Sequence, residues 1–399
     1  MELRKITYKL YPSDMQKVAL LNCIRLQKDL YNAALQERID CYQKTGKSIS
    51  YNDQQASLTQ IRADFPEYKV LPVYLSRMTL KRLDNAFRAF FNRVKKGQIP
   101  GFPRFKSLKR FTSFEICAGS GWYFDFGDSR IHGKLHINSI GTIKSRGKAR
   151  TIGTPKTSQV MYKRGKWFLS LTVECEPERK MDSAKAMGMD WGVSHLLTIT
   201  HEDGSYTQIK NPRYYQEAQT QLLFLSQAVS RKKRGSARWK RACKALSQLK
   251  AKIARKRHHD HHQLSHDIAK EYEVVATEKL TVKNMTASAK GTVDEPGKNV
   301  AQKSGLNREI LDTSPAKLLA LIRYKVEETG GRYEEVPTRK VKPSQRCPKC
   351  TVVVKKSLGM RQHSCECGCN MPRDAASGLV MLRYSLGTLY DRSETLPSD

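Results

Sequence analysis

The sequence predicts an α+β multidomain protein, in which an N-terminal β-barrel interrupted by a helical lobe precedes a mixed sheet covered by helices. Three observations support this. A first strand pattern is followed by two long helical periodicities and then by short strands separated by turns. Beyond residue 184, strand and helix patterns alternate. Near the C-terminus, five of the ten cysteines lie in one short segment, which indicates a small metal-binding module.

The first half begins with alternating apolar and polar residues that predict a strand ending at Pro12. Ser13, with Gln16 three residues later, has the spacing of a capping box and opens a helix that runs to about residue 43. A second helix is predicted from about Ser76 to Lys95. The segments "KLHINSIG", "QVMYKRG" and "KWFLSLTVECE" then read as strands. We therefore assign residues 1–12 and 100–180 to the barrel and 13–99 to the helical lobe.

The second half contains strands in "AMGMDWG", "HLLTIT", "SYTQIK" and "YEVVATEKL", and a helical pattern over residues 216–272. Residues 286–306 are polar and are predicted to form a loop. Helices are predicted in "SPAKLLALIRYKVEET" and from residue 374 to about 385. The domain assignment that follows from these patterns is the mixed sheet over 181–342 and 371–390, the cysteine-rich module over 343–370, and a tail over 391–399.

The charge balance favours a polyanionic partner. The chain has 72 Lys and Arg against 38 Asp and Glu, a net charge of +34, and neutralised phosphates release counterions, which drives binding. An anionic membrane is the alternative, but no segment combines a basic face with an exposed apolar one. Since the chain shows neither a run of about 18 apolar residues nor a signal peptide, we predict a cytoplasmic protein that binds nucleic acid and no membrane.

The cysteine cluster predicts one structural zinc ion. Its members are Cys347, Cys350, Cys365, Cys367 and Cys369. The first two form a C-x2-C pair and the last three a C-x-C-x-C run, so five thiols compete for four tetrahedral positions. We favour Cys347, Cys350, Cys365 and Cys367, because a glycine directly after the last ligand is the common arrangement. Cys369 in place of Cys367 is the alternative, and His363 is a less favoured ligand.

Three acids occupy the ends of apolar elements. Asp190 ends the strand "AMGMD", Glu278 ends "YEVVATE", and Asp374 begins the last helix. If they converged they would repel one another unless a cation neutralised them, and Mg²⁺ prefers carboxylate oxygens. Two such ions about 4 Å apart can assist phosphodiester hydrolysis. Acids are also common at the exposed ends of elements, so spacing alone leaves both interpretations open.

A long basic stretch predicts contacts with phosphate groups. Residues 231–257 contain 13 Lys or Arg and no acid, whereas a solvated helix surface usually mixes both signs. The residues we expect to contact nucleic acid are Arg231, Lys232, Lys233, Arg234, Arg238, Lys240 and Arg241, with Arg104 and Lys106 in "GFPRFKS". Five histidines follow, which we interpret as polar neighbours of a nucleic-acid backbone, with metal binding as the alternative: His258, His259, His261, His262 and His266.

Motifs along nearly the whole chain resemble those of the TnpB proteins of bacterial insertion sequences, the compact relatives of type V CRISPR nucleases. They are "YPSDMQ", "YNAAL", "GFPRFKS", "GMDWGV", "TEKLTVKNM", "SQRCPKC", and "CG" followed five residues later by "RD". The resemblance implies an RNase H-like RuvC nuclease domain with an inserted zinc-binding module, in which Asp190, Glu278 and Asp374 match the catalytic acids and bind two Mg²⁺ ions. It also implies a guide RNA and a double-stranded DNA target beside a short motif, both gripped by the barrel and the helical lobe.

Two departures from the family pattern leave alternatives to an RNA-guided DNA endonuclease. Ala376 stands where the family usually has Asn, and the last cysteines are compressed to C-x-C. Either change could loosen the third carboxylate, so a cleavage-deficient RNA-guided repressor is one alternative. A DNA-joining transposase is the other, since RNase H folds also support that chemistry. All three acids remain, which favours cleavage.

Overall fold

The computed structural model describes residues 2–117, 121–128, 131–147, 153–176, 184–292, 294–357 and 359–389. The chain divides into two compact units, 1–177 and 178–399. The predicted tail, 391–399, lies outside the described residues, and the finer domain division stays a prediction. No helix in the described ranges has both the length and the apolar character needed to cross a membrane.

The first unit combines helices with a seven-stranded antiparallel sheet. Its elements are β1 (Glu2–Tyr11), α1 (Asp14–Thr45), α2 (Tyr51–Ala56), α3 (Leu58–Asp64), a 3-10 turn (Pro66–Tyr68), α4 (Val73–Lys95), β2 (Ser113–Cys117), β3 (Trp122–Asp125), β4 (His132–Ile137), β5 (Gly141–Arg146), β6 (Thr154–Lys163) and β7 (Lys166–Cys175). The predicted helices and strands of this half are confirmed. Strand β1 lies at the centre of the sheet between β7 and β5. In the sequence, helices α1–α4 are inserted between this central strand and the other six strands.

The described residues form an open sheet and no closed barrel, so the predicted β-barrel is not confirmed. The strand order is β2-β6-β7-β1-β5-β4-β3, and within the described residues no backbone ladder joins the two edge strands β2 and β3. Side chains engage backbone groups of the β2 edge instead. Arg82 of α4 donates to the Ser113 carbonyl at 3.1 Å, and the Trp122 indole donates to the Cys117 carbonyl at 2.5 Å. These two carbonyls of β2 are thus bonded to side chains and not to a further strand.

Helix α1 begins as the sequence predicts. The Ser13 hydroxyl accepts from the Gln16 amide at 3.3 Å, and the Gln16 side chain accepts from the Ser13 amide at 3.0 Å. The helix ends at Gly46, whose φ of 68° is in the left-handed region that favours glycine. Apolar residues of α1 and α4, such as Leu20 and Leu83, are fully buried in one core with the sheet.

The second unit contains a five-stranded mixed sheet and a separate two-stranded ribbon. Its elements are β8 (Ala186–Trp191), β9 (His195–Thr200), β10 (Tyr206–Lys210), α5 (Tyr214–Glu217), α6 (Gln219–Ser230), α7 (Ala237–Glu271), β11 (Val274–Glu278), α8 (Val282–Met285), α9 (Val300–Thr313), α10 (Pro315–Thr329), β12 (Arg332–Val336), α11 (Thr338–Val341), β13 (Gln362–Ser364), β14 (Asn370–Pro372) and α12 (Arg373–Ser385). The α+β class is confirmed.

Helices cover both faces of the mixed sheet. The order is β10-β9-β8-β11-β12, with β11 parallel to both β8 and β12 and the first three strands antiparallel. On one face Met187, Met189 and Val275 pack with residues of α7 and α10. On the other face Ala186 and Ala276 pack against α12. Successive residues of each strand contribute to opposite faces, because their side chains point in opposite directions.

Two helical boundaries differ from the sequence expectation. The pattern over 216–272 is divided into α5, α6 and α7, with a gap at residues 231–236. Gly235 there has φ of 90°, and the Ser236 hydroxyl accepts from the Trp239 amide at 3.1 Å, which starts α7. The predicted loop over 286–306 is shorter, because α9 already begins at Val300 and its Lys303 donates to the Met285 carbonyl at 2.6 Å.

Helix α12 and strand β8 meet at two glycines. A Cβ atom added at Gly188 would lie 1.8 Å from the Gly378 carbonyl oxygen, and one added at Gly378 would lie 2.7 Å from the Thr200 hydroxyl oxygen. Backbone contacts as close as these leave no room for a methyl group. The separation between helix and sheet is therefore set by the two glycines.

We expect Gly188→Ala to lower the free energy of unfolding by about 1–3 kcal/mol or more, because the helix must move away from the strand. Urea denaturation followed by circular dichroism measures this. Gly305→Ala is the matched control: Gly305 lies within α9 and has no atom within 4 Å of a built Cβ, so alanine there should stabilise the protein by about 0.5–1 kcal/mol. Equal stability of Gly188→Ala and the wild type would contradict the close packing.

Candidate carboxylate and metal centre

Asp190 and Glu278 lie at the same edge of the mixed sheet. Strands β8 and β11 are parallel, and their register runs from Val274 opposite Ala186 to Thr277 opposite Met189. One further step along this register brings Glu278 beside Asp190. Adjacent strands are about 4.8 Å apart. The two acids therefore occupy neighbouring positions on adjacent strands, although 88 residues separate them in the sequence.

Both side chains face α12. Gly188 and Ala276 are paired in the register and contact or face that helix. Asp190 and Glu278 lie two residues further along their strands, and residues i and i+2 of a strand share a face. The sheet thus presents two acids to the side on which α12 packs.

Helix α12 brings the third acid to the same place. Asp374 is in its first turn, and the i, i+3 and i+4 spacing puts Asp374, Ser377 and Gly378 on one helical face. Since Gly378 touches Gly188, this face lies against β8. The Thr200 hydroxyl fixes the helix further by donating to the Ala375 carbonyl at 3.1 Å. The three predicted acids therefore come together.

The negative charges of these acids repel one another. Burial, together with the negative charges of Glu278 and Asp374, raises the pKa of Asp190 well above its usual range, although a hydrogen bond from Ser377 and the positive charge of Arg373 act in the other direction. Burial also raises the pKa of Glu278. All three side chains keep some exposure to solvent. A divalent cation entering from solvent would relieve this repulsion, so the donor set fits Mg²⁺.

Three acids need not all contact the same ion when two ions bind side by side. Among the described residues, the possible ligand atoms that lie mutually within 4.8 Å belong to cysteines and one histidine, and the three acids do not form such a set. In sites that hold two ions, the ions themselves are about 3.5–4 Å apart. Acids spread over such a pair need not all touch one ion.

Four thiols of the cysteine cluster can hold a zinc ion. The sulfur atoms of Cys347, Cys350, Cys365 and Cys367 lie within 4.8 Å of one another. Cys347 Sγ is 3.6 Å from Cys367 Sγ, and Cys350 Sγ is 3.4 Å from Cys365 Sγ. A tetrahedral ion with zinc–sulfur bonds of about 2.3 Å requires sulfur separations of about 3.8 Å. The set fits zinc with small adjustments.

The alternative ligands form a second set that shares one thiol with the first. Cys347, His363 and Cys369 also lie mutually within 4.8 Å. His363 is 1% exposed, its Nδ1 contacts the Lys356 ammonium, and its Nε2 has no hydrogen-bond partner. Because both sets use Cys347, they compete for one ion, and the four-thiol set is the more complete. The choice of Cys367 over Cys369 stays a prediction.

The cysteine module is fastened to α12. Its ribbon strand β14 runs directly into the helix at Arg373. The Arg373 amide donates to the Arg361 carbonyl at 2.8 Å, and its guanidinium donates to the Ser357 carbonyl at 2.9 Å. Near the other end of the helix, the Arg383 guanidinium donates to the Pro348 carbonyl. The module therefore holds the residue that directly precedes Asp374.

The predicted nucleic-acid contacts differ in their surroundings. Arg231, Lys233 and Arg234 in the gap between α6 and α7 are exposed, as are Arg238, Lys240 and Arg241 on α7, whereas Lys232 is half-buried and donates to the Ala228 carbonyl. Arg104 is exposed. Lys106 is tied down, because its backbone exchanges two hydrogen bonds with the Asn32 side chain. Their role in binding stays a prediction.

The histidine cluster is only partly a surface feature. His261 is 1% exposed and neither of its ring nitrogens has a hydrogen-bond partner, so the expectation that it neighbours a nucleic acid is wrong. Apolar periodicity of α7 turns this residue inward. His258 and His262 stack on each other with ring centroids 4.4 Å apart. Among the described residues, these histidines form no metal-binding set.

Sequence reasoning missed Ser377 and the two glycines that bring α12 onto the sheet. A glycine inside an apolar strand, such as Gly188, often marks a close backbone approach, and that signal was available. Ser377 carried none, because a serine in a helix is ordinary until the tertiary structure shows what lies opposite.

We expect Asp190→Asn to raise the free energy of unfolding of the metal-free protein at pH 7. The folded protein holds the Asp190 proton more tightly than the unfolded chain, whose pKa is near 3.8. Stability is therefore lost as pH rises from about 3.8 through the raised pKa, and asparagine removes this loss. Thermal unfolding in EDTA from pH 3 to 8 measures it. The difference should vanish below pH 3.8, and destabilisation by asparagine at pH 7 would contradict the proposed repulsion.

We expect Cys367→Ser to lose the bound zinc ion and Cys369→Ser to retain it, because only Cys367 completes the four-thiol set. Metal content of the purified protein, measured by mass spectrometry, gives the number of ions per chain. Cys243→Ser, on α7 and outside both sets, is the control. The reverse result, with zinc lost only from Cys369→Ser, would assign the fourth position to Cys369.

Comparisons with known proteins agree with this organisation. Three family models match in chain order: "Helix-turn-helix domain" at residues 1–47, "Probable transposase" at 170–289 and "Cas12f1-like, TNB domain" at 316–380. The second covers Asp190 and Glu278, and the third covers the cysteine module and Asp374.

Whole-chain relatives have consistent names. A protein of Escherichia coli (strain K12) named "Putative RNA-guided DNA endonuclease InsQ" is 29% identical over 91% of this chain and 87% of its own length. A protein of Streptomyces pristinaespiralis named "Putative RNA-guided DNA endonuclease" is 27% identical over 96% of this chain and 89% of its own length.

A solved structure has the same fold. The cryo-EM structure of Cas12f1 in complex with sgRNA and target DNA superposes with a TM-score of 0.60 over 95% of this chain and 98% of that one. The sequence identity is 13%, so this likeness concerns the fold. Together, the ordered family models, the whole-chain relatives and the shared fold agree with the resemblance of the sequence motifs to TnpB proteins.

Proposed function

We propose that this protein is an RNA-guided DNA endonuclease of an insertion element. Two relatives that match nearly the whole chain carry that name, and the solved structure with the same fold holds an sgRNA and target DNA. The net charge of +34 suits a protein that holds a long RNA and an opened duplex. In this arrangement, pairing between guide and target reads most of the sequence, while the protein reads a short adjacent motif.

The convergence of Asp190, Glu278 and Asp374 is the observation that carries the catalytic part of the proposal. We assign these residues to a RuvC-like site that holds two Mg²⁺ ions. When bound, such ions supply an activated water and stabilise the leaving oxygen of a phosphodiester. The protein's part is to hold the carboxylates in place, and bound cations would favour their charged forms.

The neighbouring residues support these roles. Strands β8 and β11 fix the first two acids in a rigid sheet, and α12 carries the third. Arg373 contributes positive charge beside Asp190 while its guanidinium is held by the Ser357 carbonyl. The zinc module would act as a rigid support for Arg373 and Asp374, with Cys347, Cys350, Cys365 and Cys367 as its ligands.

The basic surface of the second unit supports nucleic-acid binding. The exposed residues between α6 and α7 and along α7 form a cationic stretch with no acid between residues 231 and 257. Such a stretch suits a phosphate backbone, whose neutralisation releases counterions. We assign it to contacts with guide RNA or target DNA.

We expect Asp190→Ala to reduce cleavage below detection while RNA and DNA binding remain close to wild type, because the carboxylate serves the ions and not the backbone contacts. The protein is purified from cells that carry its own locus, and the RNA bound to it is sequenced. The complex is then incubated with Mg²⁺ and a plasmid that contains the target matched by this RNA. Asp267→Ala, an exposed acid on α7, is the control and should cleave normally.

The other outcomes of this experiment separate the alternatives. Full cleavage by Asp190→Ala would refute the site. A wild-type protein that shields the matched plasmid without cutting it would be a guided repressor, as the departure at Ala376 allows. Formation of DNA products in which labelled element ends are joined to another strand would indicate a transposase. The family model that matches residues 170–289 is described as "Probable transposase".

A further inference from the structure

Four aromatic rings meet near the C-terminal end of α4 in the first unit. Phe87, Phe90 and Phe91 lie on the helix, and Phe102 comes from the segment that follows it. The Phe102 ring centroid is 5.6 Å from that of Phe87 and 5.4 Å from that of Phe90, edge to face in both pairs. The Phe91 centroid is 5.2 Å from that of Phe90. Since aromatic pairs in such arrangements attract one another, the four rings form one cluster.

Buried polar groups hold the inner side of this aromatic cluster. The Arg38 guanidinium of α1 lies over the Phe87 ring, with its carbon 5.1 Å from the ring centroid. Arg38 Nε donates to Gln54 Oε1 at 2.8 Å, and Arg38 Nη2 is 3.7 Å from Asp84 Oδ1. A cation over the face of a ring is attracted by it. Phe87 is therefore fixed from below, and the rings that contact it have a firm base.

The outer side of the cluster faces solvent. Phe91 is 51% exposed and Phe102 is 48% exposed. Every residue between them is exposed as well, and Ile99 among them is 95% exposed. Apolar side chains that adjoin one another on a surface mark an interaction site more often than single ones do.

The charge of this surface selects the class of partner. Residues 85–110 contain eight Lys or Arg and no acid, and Arg93, Lys95 and Arg104 are exposed. A Cβ atom added at Gly101, which directly precedes the fourth ring, would lie 3.6 Å from Arg93 Nη1, so a cation lies beside the cluster. A second copy of the chain would bring like charges together. Nucleic acids instead combine negative phosphates with bases that stack on aromatic rings.

We propose that the exposed rings of Phe91 and Phe102 are a stacking platform for unpaired bases of the guide RNA, with the surrounding Lys and Arg on its phosphates. This inference rests on the proposed function and names where the protein holds one of its partners. Only unpaired bases have a free face for stacking. The target arrives as a duplex whose bases are paired, whereas an RNA has single-stranded segments, so the RNA is the occupant.

The test measures RNA affinity at several salt concentrations. Full-length protein, produced without its locus and freed of nucleic acid, is titrated with a transcript of the RNA that co-purifies with the wild type, and fluorescence anisotropy reports binding. We expect Phe91→Leu and Phe102→Leu each to raise the dissociation constant by about 5-fold or more, because leucine keeps the apolar packing but has no flat face. The slope of log affinity against log salt should stay unchanged, since no phosphate contact is lost.

Two further variants make the result specific. Phe91→Tyr keeps a ring and should bind the RNA as tightly as the wild type. The matched control is Phe65→Leu: Phe65 is 52% exposed, but it directly follows Asp64 and is followed by Glu67, so its surroundings do not suit phosphates. Its affinity should equal that of the wild type. Methionine, which also lacks a flat face, replaces leucine at Phe91 or Phe102 if a leucine variant does not fold.

The outcomes distinguish this inference from the proposed function. If the wild type carries RNA and cleaves DNA but the Phe91 and Phe102 variants bind RNA as tightly as Phe65→Leu does, the platform is wrong and the endonuclease stands. A loss confined to binding of target DNA by the RNA-loaded protein would overturn the guide RNA as the occupant. A loss that Phe91→Tyr shares, or a changed salt slope, would overturn stacking. If the wild type binds no RNA, both proposals fail.

Discussion

The contact between Gly188 of β8 and Gly378 of α12 is the constraint on which the candidate site depends. A side chain at either position would meet backbone or a buried hydroxyl at less than 3 Å. With hydrogen atoms in place of side chains, the helix backbone rests directly on the strand. That proximity puts the first turn of α12 over the end of β8, where Asp190 stands. The third acid therefore owes its position to a contact one helical turn away.

This packing brings acidic side chains together in a partly buried place, where water screens the repulsion between them poorly. Burial and two neighbouring acids raise the pKa of Asp190, whereas Ser377 and Arg373 act in the opposite direction. A site of this kind stores electrostatic repulsion in the folded protein until cations bind, because like charges held close in a low dielectric interact strongly. Its stability and its metal binding are consequently linked.

The cysteine module and the basic helices extend this site in different directions. The module continues into α12 through β14 and binds the helix at both ends through Arg373 and Arg383. Loss of its ion would free the segment directly before Asp374. The exposed basic residues between α6 and α7 and in the first turns of α7 instead lie in a stretch, 231–257, that contains no acid, as suits binding of a flexible polyanion by many weak contacts.

The sequence by itself determined the local elements and the identities of the site residues. The capping box at Ser13, the apolar strands that end at Asp190 and Glu278, and the cysteine spacing are all set by neighbours within a few residues, so they can be read from spacing. Tertiary structure decided the rest. It left the sheet of the first unit open, turned His261 inward, and set Gly378 of α12 against Gly188 of β8. These outcomes depend on contacts between segments far apart in the chain, where sequence spacing carries no distance information.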